Sequence, residues 1–267
     1  MICQHGPVPD DDELPAAAGV WLVDLDGVVW LADRPIAGSA GAVSRLRDAG
    51  RRVVFATNNS APTIDELLDR LSRAGIDAVA DDLVTAAQAA ASMLEAGSSA
   101  LVCAEGGMLE ALAARGVTVV TEGPADAVVV GWTRRFDFEM LATAATAVRM
   151  GARLIGTNED PTHPTPDRLL PGSGALIAAV ATAAQAAPEI AGKPHEPLVA
   201  LLQRRAPDAR LVVGDRPATD GLLARRLGVP FALVLSGVTA VGHGALEAVP
   251  DEEGIDLAAI VDRHLGP

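Results

Sequence analysis

The sequence predicts an α/β protein built on a parallel sheet that carries helices on both faces. Short β-branched runs alternate along the chain with longer runs that are rich in Ala, Leu and Arg and have a helical period. The short runs are apolar on both faces, as expected for strands that helices cover on both sides of a sheet. Such alternation is typical of βαβ units, in which consecutive strands lie parallel.

The first half of the chain shows clear element boundaries. Gly50 and Gly75 end two predicted helices, and Thr63 with Glu66 three residues later forms a capping box at the start of the second helix. In chain order we predict strand 20–23, helix 40–49, strand 53–56, helix 62–74, helix 83–96, strand 100–104, helix 108–115 and strands 117–120 and 127–130.

The second half continues the alternation around a long irregular segment. Residues 158–174 are rich in Pro, Gly, Thr and Asp, and this composition predicts a loop. On either side of the loop we predict helix 138–150, strand 154–157, helix 175–186, helix 197–205, strand 211–213, helix 221–227 and strand 231–235.

Composition excludes several classes of protein. The 35 acidic and 21 basic residues give a net charge of −14, which argues against nucleic acid and against anionic membranes as partners. A hydrophobic fraction of 49% argues against disorder, and two cysteines cannot form a disulfide framework. The most apolar segment, 175–187, is too short to span a bilayer. Residues 1–16 form an acidic tail without the features of a secretory signal, so we expect a cytoplasmic protein.

The basic residues are divided unevenly between the two types. Twenty of the 21 are arginine, and Lys193 is the only lysine. A chain that otherwise uses arginine would keep lysine where a compact ammonium on a flexible stem is required. The alternative is chance, which composition alone leaves open.

Four segments of polar residues carry the candidate chemistry, and we assign them to strand ends, where ligands bind in open α/β sheets. The first pair is Asp24 and Asp26, which come directly after strand 20–23 and face the same way in an extended chain. Two such carboxylates repel each other and need a cation, a shared proton or both. The alternative is a hairpin turn at Asp26-Gly27, and a turn is compatible with the acidic pair.

The second segment is Thr57-Asn58-Asn59-Ser60, between strand 53–56 and a capped helix. A hydroxyl and backbone N–H groups at a helix N-terminus are suited to bind an anion. An ordinary turn, in which Asn and Ser are common, is the alternative.

The last two segments contain Lys193 and a second acidic pair. Lys193 lies in a Gly-Lys-Pro segment that lacks the spacing of a Walker A loop, and a solvated loop lysine is the alternative. Asp215 follows strand 211–213, and Asp220 lies five residues on, near the start of a helix. Such carboxylates suit Mg²⁺, although Asp220 alone could instead interact with the helix dipole.

The order of these motifs resembles the haloacid dehalogenase superfamily of aspartate-nucleophile phosphatases. An acidic pair, a threonine, a lysine and a second acidic pair follow one another at strand ends, and the resemblance covers the chain from about residue 17 onward. Segments 157–160 (TNED) and 171–174 (PGSG) make the chain similar to the type IIA branch, the NagD-like or p-nitrophenylphosphatase-like group. One departure is Val28, where many members have threonine, and it could alter the segment beside the site.

The resemblance implies a Rossmann-like, doubly wound parallel-sheet core with an inserted α/β cap domain of the C2 type. Residues 17–82 and 186–267 are then expected to form the core, residues 83–185 the cap, and residues 1–16 the tail.

The resemblance also implies roles for the acidic residues. Asp24 is the nucleophile that forms an aspartyl-phosphate. Asp26 first donates a proton to the leaving alkoxide and then acts as base toward water. Mg²⁺ is held by the Asp24 carboxylate, the backbone carbonyl of Asp26 and the Asp215 carboxylate, with Asp220 nearby.

The phosphate is expected to lie against the remaining motif residues. By the resemblance, Thr57, Asn58 and Asn59 hold the phosphoryl oxygens, and Lys193 neutralises the nucleophile and the transferring group. The expected partner is a small phosphorylated metabolite, such as glycerol 3-phosphate or phosphoglycolate. In the cap, His163 and Arg168 are candidate substrate contacts, and the cap is a candidate homodimer interface. Scattered polar residues of a surface loop are the alternative for both side chains.

Other activities use similar residues. A dehalogenase needs neither Mg²⁺ nor a second acid, so Asp26 and Asp215 count against it. A phosphomutase on the same scaffold stays open. A phosphorelay receiver is about half as long and has its acidic residues before its Thr and Lys. A catalytically inactive binding homologue would lack one of the expected polar residues, and none is missing here.

Overall fold

A computed structural model describes residues 19–32, 34–165 and 168–266, and the predicted acidic tail, 1–16, lies outside them. Within the described residues the chain forms two parallel sheets, of six and five strands, and two short antiparallel hairpins. Helices pack on these sheets and separate most of the consecutive strands within the two sheets. The predicted α/β class with parallel sheets is therefore confirmed.

The strands are labelled in chain order. They are β1 (Val20–Val23), β2 (Trp30–Leu31), β3 (Arg34–Pro35), β4 (Arg52–Thr57), β5 (Leu83–Thr85), β6 (Ser99–Cys103), β7 (Thr118–Val120), β8 (Ala127–Val130), β9 (Arg153–Gly156), β10 (Thr162–Pro164), β11 (Leu169–Pro171), β12 (Glu189–Ile190), β13 (Ala209–Gly214), β14 (Phe231–Val234) and β15 (Glu252–Gly254).

The helices are labelled in the same way. They are α1 (Ser39–Asp48), α2 (Ile64–Arg73), α3 (Ala86–Ser92), α4 (Gly106–Arg115), α5 (Phe138–Arg149), α6 (Ser173–Ala184), α7 (Glu196–Arg205), α8 (Leu222–Leu227) and α9 (Leu257–Leu265). A π-helical turn, Pro217–Gly221, precedes α8. Over the ranges that the structure describes, no helix has both the length and the apolar character needed to cross a membrane.

The six-stranded sheet has the order β15-β14-β13-β1-β4-β5, and all of its strands are parallel. The chain adds β4 and then β5 on one side of β1, and later adds β13, β14 and β15 on the other side. Val23 of β1 is aligned with Phe55 of β4 and Val213 of β13. The residues that follow these three strands therefore emerge side by side where the strand order reverses, the usual place for a ligand in such a sheet.

The burial of β1 explains why this run becomes a central strand. Val20 and Leu22 pack into the apolar cluster on one face of the sheet, and Trp21 and Val23 pack into the cluster on the other face. Successive side chains of a strand point to opposite faces, so a strand covered on both sides needs a continuous apolar run.

The five-stranded sheet has the order β12-β9-β8-β6-β7 and is also parallel. One face packs against α5 and α6. The other contributes Ala100, Val129 and Ile155 to an apolar cluster that also contains Leu22 and Val54 of the six-stranded sheet. The two sheets are therefore joined through a shared core.

Sheet membership changes a few residues later than the expected boundaries after residues 82 and 185. β5 pairs with β4 in the six-stranded sheet although it begins at Leu83. β12 pairs with β9 in the five-stranded sheet although it begins at Glu189. By strand pairing, the first unit therefore extends at least to Thr85 and the second at least to Ile190.

Two predicted elements are wrong in detail. Residues 83–85 of the predicted helix 83–96 form β5, and α3 ends at Ser92. The Thr85 hydroxyl accepts the Gln88 N–H at 3.2 Å, and the Gln88 side chain accepts the Thr85 N–H at 3.1 Å. This capping box fixes the helix start after Thr85. The predicted loop 158–174 contains the β10–β11 hairpin, whose pairing composition does not reveal.

Candidate active site

The centre of the site is Lys193, which is only 3% exposed. Its Nζ lies 2.5 Å from Oδ1 of Asp24 and 2.6 Å from Oδ1 of Asp220, and it donates to the Ala56 carbonyl at 2.9 Å. The three protons of the ammonium therefore have three acceptors. The alternative of a solvated loop lysine is wrong.

Three buried carboxylates lie around this ammonium. Asp24 follows β1, Asp215 follows β13, and Asp220 lies in the π-helical turn before α8. Oxygen atoms of the three carboxylates lie within 4.8 Å of one another. Lys193 balances one of their charges, so two negative charges remain when all three are ionised. The oxygen donors and the residual charge fit a hard divalent cation such as Mg²⁺.

Burial and mutual repulsion shift the pKa values of the cluster. Burial, with Asp220 and Asp215, raises the pKa of Asp24 well above its usual value, while Lys193 opposes the rise. Burial and Asp220 raise the pKa of Asp215 to about 7. Burial disfavours the Lys193 ammonium, but Asp220 and Asp24 outweigh it and raise the pKa of Lys193. Lys193 thus stays charged. The raised pKa values of Asp24 and Asp215 show that one ammonium does not offset the burial and mutual repulsion of three carboxylates.

Val238 and Thr239 hold Asp215 in place through its side chain and its main chain. Its Oδ2 accepts the Val238 N–H at 2.5 Å, and its main-chain carbonyl accepts the Thr239 hydroxyl at 2.6 Å. A Cβ added to Gly27 would lie 2.3 Å from the same Oδ2, and Gly27 has a φ of +90°. Both the space and the backbone conformation therefore require glycine at this position.

Asp26 lies on the turn between the strand end and β2. The Leu25 carbonyl accepts the Val28 and Val29 N–H groups at 3.3 and 2.9 Å, so a turn is present together with the acidic pair. It is not a hairpin turn, because β1 pairs in parallel with β4 and β13 and the Asp26–Trp30 bridge is also parallel. Asp26 is partly exposed, lines the same cavity as Asp24, and accepts the Trp30 indole N–H on Oδ1 at 2.9 Å.

The segment that begins with the last residue of β4 lies directly beside the acidic cluster. Thr57 is buried, and its hydroxyl accepts the Asn59 N–H at 3.0 Å. Thr57, Asn58 and Asn59 line one cavity with Asp24 and Lys193. The four predicted strand-end segments are therefore brought together, and the role of this one in phosphate binding stays a prediction.

The side chain of Asn58 holds the backbone of Lys193. Its Oδ1 accepts the Lys193 N–H at 2.7 Å, and its Nδ2 lies 3.3 Å from both the Lys193 carbonyl and Oδ2 of Asp160. Asn158 donates in turn to the Asn58 carbonyl at 2.8 Å. The Asn58 amide therefore positions the lysine, and a phosphate contact at this residue would come from its backbone.

The cavity above these groups has a volume of about 760 Å³ including its mouth. Residues of the five-stranded unit form part of its wall, among them Trp132 and His163, whose ring centroids lie 4.6 Å apart. His163 therefore lies where a substrate contact is predicted. Arg168 is exposed and does not line the cavity, so the structure does not bring it to the other site residues.

An ion pair that the sequence did not predict lies at the edge of the cavity. Arg216 Nη1 lies 3.0 Å from Oδ1 of Asp160, and both side chains are half-buried. The pair links the two sheet units beside Asn58. Arg216 directly follows Asp215, and Asp160 comes shortly after β9, so position after a strand end was the available indication for both.

Family profiles match both ends of the chain. The profile for haloacid dehalogenase-like hydrolases matches residues 21–118, and a second HAD-like hydrolase profile matches residues 190–258. The acid sugar phosphatase of Staphylococcus haemolyticus is 33% identical over 227 residues, which cover 82% of this chain and 86% of that protein. This chain belongs to the haloacid dehalogenase-like hydrolases.

Further members of the family support this assignment. The D-glycerol 3-phosphate phosphatase of Mycobacterium tuberculosis is 38% identical over 226 residues, and the match covers 82% of this chain and 63% of that protein's length. The crystal structure of the glycerol phosphate phosphatase of M. tuberculosis in complex with magnesium covers 90% of this chain and 75% of its own, with 36% identity and a TM-score of 0.82.

The structure of NagD from Escherichia coli covers 91% of this chain and 98% of its own, with 29% identity and a TM-score of 0.81. The chain is thus a type IIA, NagD-like member of the haloacid dehalogenase-like hydrolases. Its six-stranded unit is the Rossmann-like core, and its five-stranded unit is the cap.

Replacing Lys193 by arginine tests whether the site requires an ammonium. The guanidinium is a planar fork, whereas the buried position offers three separate acceptors around one point. We expect Lys193→Arg to lower kcat for p-nitrophenyl phosphate on the order of 10²-fold or more, the scale of one preorganised charge contact. The exchange Arg226→Lys, at an exposed position, is the control and should leave kcat unchanged. Full activity of Lys193→Arg would contradict the ammonium requirement.

Truncation of Asn58 tests its hold on the lysine. Asn58→Ala removes the bonds to both backbone groups of Lys193, and we expect kcat to fall about 10-fold, as for loss of a partner that orients a site ligand. Asn58→Asp keeps an acceptor but adds a carboxylate next to Asp160, so it should not restore activity. Steady-state kinetics measure both variants, with circular dichroism to confirm folding. A rise in KM with kcat unchanged would show that Asn58 contacts substrate instead.

Proposed function

We propose that the protein hydrolyses small phosphate monoesters through an aspartyl-phosphate formed on Asp24. The observation that carries the proposal is the contact of the Asp24 carboxylate with the buried Lys193 ammonium, at the floor of a cavity that Asp26 and Thr57 also line. Such an arrangement offers a nucleophile, an acid, an anion contact and a fixed positive charge around one point.

The enzyme class follows from membership of the family. The chain is a phosphoric monoester hydrolase, like its named relatives, and it uses Mg²⁺. Asp24, the backbone carbonyl of Asp26 and Asp215 would hold Mg²⁺, which would supply positive charge to offset the negative charge of the phosphoryl oxygens. A phosphorelay receiver does not fit a chain with a second parallel sheet of five strands.

In the first step, a carboxylate oxygen of Asp24 attacks phosphorus and the bond from phosphorus to the leaving oxygen breaks. Asp26 donates its proton to that oxygen. In the second step, Asp26 takes a proton from water, the water oxygen attacks phosphorus, and the Asp24 carboxylate is released with inorganic phosphate. Lys193 offsets the charge that develops in both steps.

The cap is expected to cover the site during the first step and to exclude water. Trp132 and His163 line the cavity from the cap side, which supports a role of the cap in substrate choice. We take the cap to include the residues between β5 and α7. A homodimer formed through the cap and a cytoplasmic location are further proposals, which light scattering and cell fractionation test.

The substrate is proposed to be a small metabolite such as glycerol 3-phosphate or phosphoglycolate. A panel of phosphorylated metabolites, assayed for released phosphate in the presence of Mg²⁺, tests this function. A preferred monoester with full turnover is the expected result. Release of phosphate from none of the panel members, or net transfer between sugar phosphates, would contradict it and would favour a mutase in the second case.

Removal of the nucleophile tests the role of Asp24. Asp24→Asn keeps the size of the side chain but removes its nucleophilic oxygen, so Mg²⁺-dependent turnover of p-nitrophenyl phosphate should be abolished. The same exchange at exposed Asp69 on α2 is the control and should have no effect. Turnover by Asp24→Asn close to that of the wild type would eliminate Asp24 as the nucleophile.

Removal of the metal tests the cation site. EDTA should inactivate the enzyme, and added Mg²⁺ should restore it. Because a ligand that binds the folded state at 100 times its Kd stabilises it by about 2.7 kcal/mol, Mg²⁺ should also raise the melting temperature. Asp215→Asn should weaken this rise. Activity that persists in metal-free buffer, or an equal rise in the variant, would count against the site.

A further inference from the structure

Trp30 makes a direct hydrogen bond to Asp26. The indole Nε1 donates to Oδ1 of Asp26 at 2.9 Å, although the ring itself is only 1% exposed. Asp26 is partly exposed and lines the cavity. A buried side chain thus reaches one oxygen of a carboxyl group at the surface of the site.

The surroundings of Trp30 fix the direction of that bond. The ring packs in the apolar cluster on one face of the core sheet. The guanidinium carbon of Arg70 lies 4.1 Å from the ring centroid, within the range of a cation–π contact. The Trp30 carbonyl accepts the Gly27 N–H at 2.6 Å, which ties the backbone of Trp30 to the residue after Asp26. The indole N–H therefore has one well-defined position relative to Asp26.

A carboxyl group needs such a partner if it is to transfer a proton in a fixed direction. The terminal torsion of aspartate is broad, so the plane of an unrestrained carboxyl group varies. Because the indole N–H occupies Oδ1, this hydrogen bond leaves Oδ2 available for proton transfer.

We infer that Trp30 is a positioning residue for proton transfer by Asp26. It holds Oδ1 so that Oδ2 faces the leaving oxygen when the bond to phosphorus breaks. The inference rests on the proposed function, in which Asp26 is the proton donor of the first step. No bond to Trp30 is made or broken in the reaction.

This role has a consequence that a purely structural role lacks. A leaving group that is stable as an anion, such as p-nitrophenolate, needs little help from an acid. The phenolate of phenyl phosphate is a poorer leaving group and depends more on proton donation. A change in the orientation of Asp26 should therefore slow the hydrolysis of phenyl phosphate more than that of p-nitrophenyl phosphate. The two substrates are closely similar in size and shape, so the comparison isolates the leaving group.

The test compares Trp30→Phe with the wild type on both esters. Phenylalanine fills most of the buried volume and lacks the N–H. The readout is kcat/KM, which reports the steps up to the first phosphoryl transfer. A positioned acid contributes about 10²- to 10⁴-fold, so misorientation should cost part of this, about 10-fold for phenyl phosphate and less than about 2-fold for p-nitrophenyl phosphate. An equal loss on both esters, or no loss, would overturn the inference.

Trp21→Phe is the matched control, because Trp21 is also 1% exposed in the core and the exchange removes a buried indole away from Asp26. It should leave the ratio of the two kcat/KM values unchanged. If Trp30→Phe does not fold, Trp30→Leu takes its place. Leucine is also apolar and lacks the N–H, so this variant should likewise slow phenyl phosphate more than p-nitrophenyl phosphate. An equal loss on both esters in Trp30→Leu would then overturn the inference.

Asp26→Asn separates this inference from the proposed function. It should lower kcat/KM for phenyl phosphate, relative to kcat/KM for p-nitrophenyl phosphate, by a larger factor than Trp30→Phe does. This larger relative loss on phenyl phosphate is called the bias. If Asp26→Asn shows the bias and Trp30→Phe does not, the inference about Trp30 fails and the proposed function stands. If neither shows it, Asp26 is not the donor, and the inference about Trp30 and the donor role of Asp26 both fail. Hydrolysis through Asp24 is tested separately, by Asp24→Asn and the panel of phosphorylated metabolites.

Discussion

The site depends on one buried ammonium among three buried carboxylates. Taking an ion out of water costs several kcal/mol, so a cluster of this kind persists only where each charge has close partners. Lys193 provides them for Asp24 and Asp220 at 2.5 and 2.6 Å, and the Ala56 carbonyl completes its coordination. The same pairing leaves an excess of negative charge, and this excess is what makes the cluster a site for a divalent cation.

The fold places these charged side chains next to one another although they come from segments that are far apart in the sequence. β1, β4 and β13 are neighbours in one parallel sheet, so the residues after their carboxyl ends converge at the point where strand order reverses. Lys193 enters from a different place, after β12 at the edge of the cap sheet. The Asn58 amide holds its backbone from the core side. The cap therefore stays connected to the lysine that the core chemistry needs.

The motifs at the strand ends were predictable because they are local in the sequence. Each consists of a β-branched run followed by polar residues, within about eight consecutive residues. The composition indicated Lys193 as a candidate site residue, because it is the single lysine beside 20 arginines. The function of the Asn58 side chain was not predictable, because its partner lies 135 residues away. The start of α3 was missed because the capping box at Thr85 lies inside an apolar run. The Asp160–Arg216 pair likewise exists only once both units are folded.

In the proposed reaction the Asp24 carboxylate becomes covalently phosphorylated beside Lys193. Rapid acid quench of the enzyme during turnover of p-nitrophenyl phosphate, followed by peptide mass spectrometry, detects such a phosphoryl group. We expect a transient phosphoryl group on the peptide that contains Asp24, which appears before steady state and decays when substrate is exhausted. Full turnover with the phosphoryl group on a different residue, or with no phosphorylated peptide at any time, would contradict it.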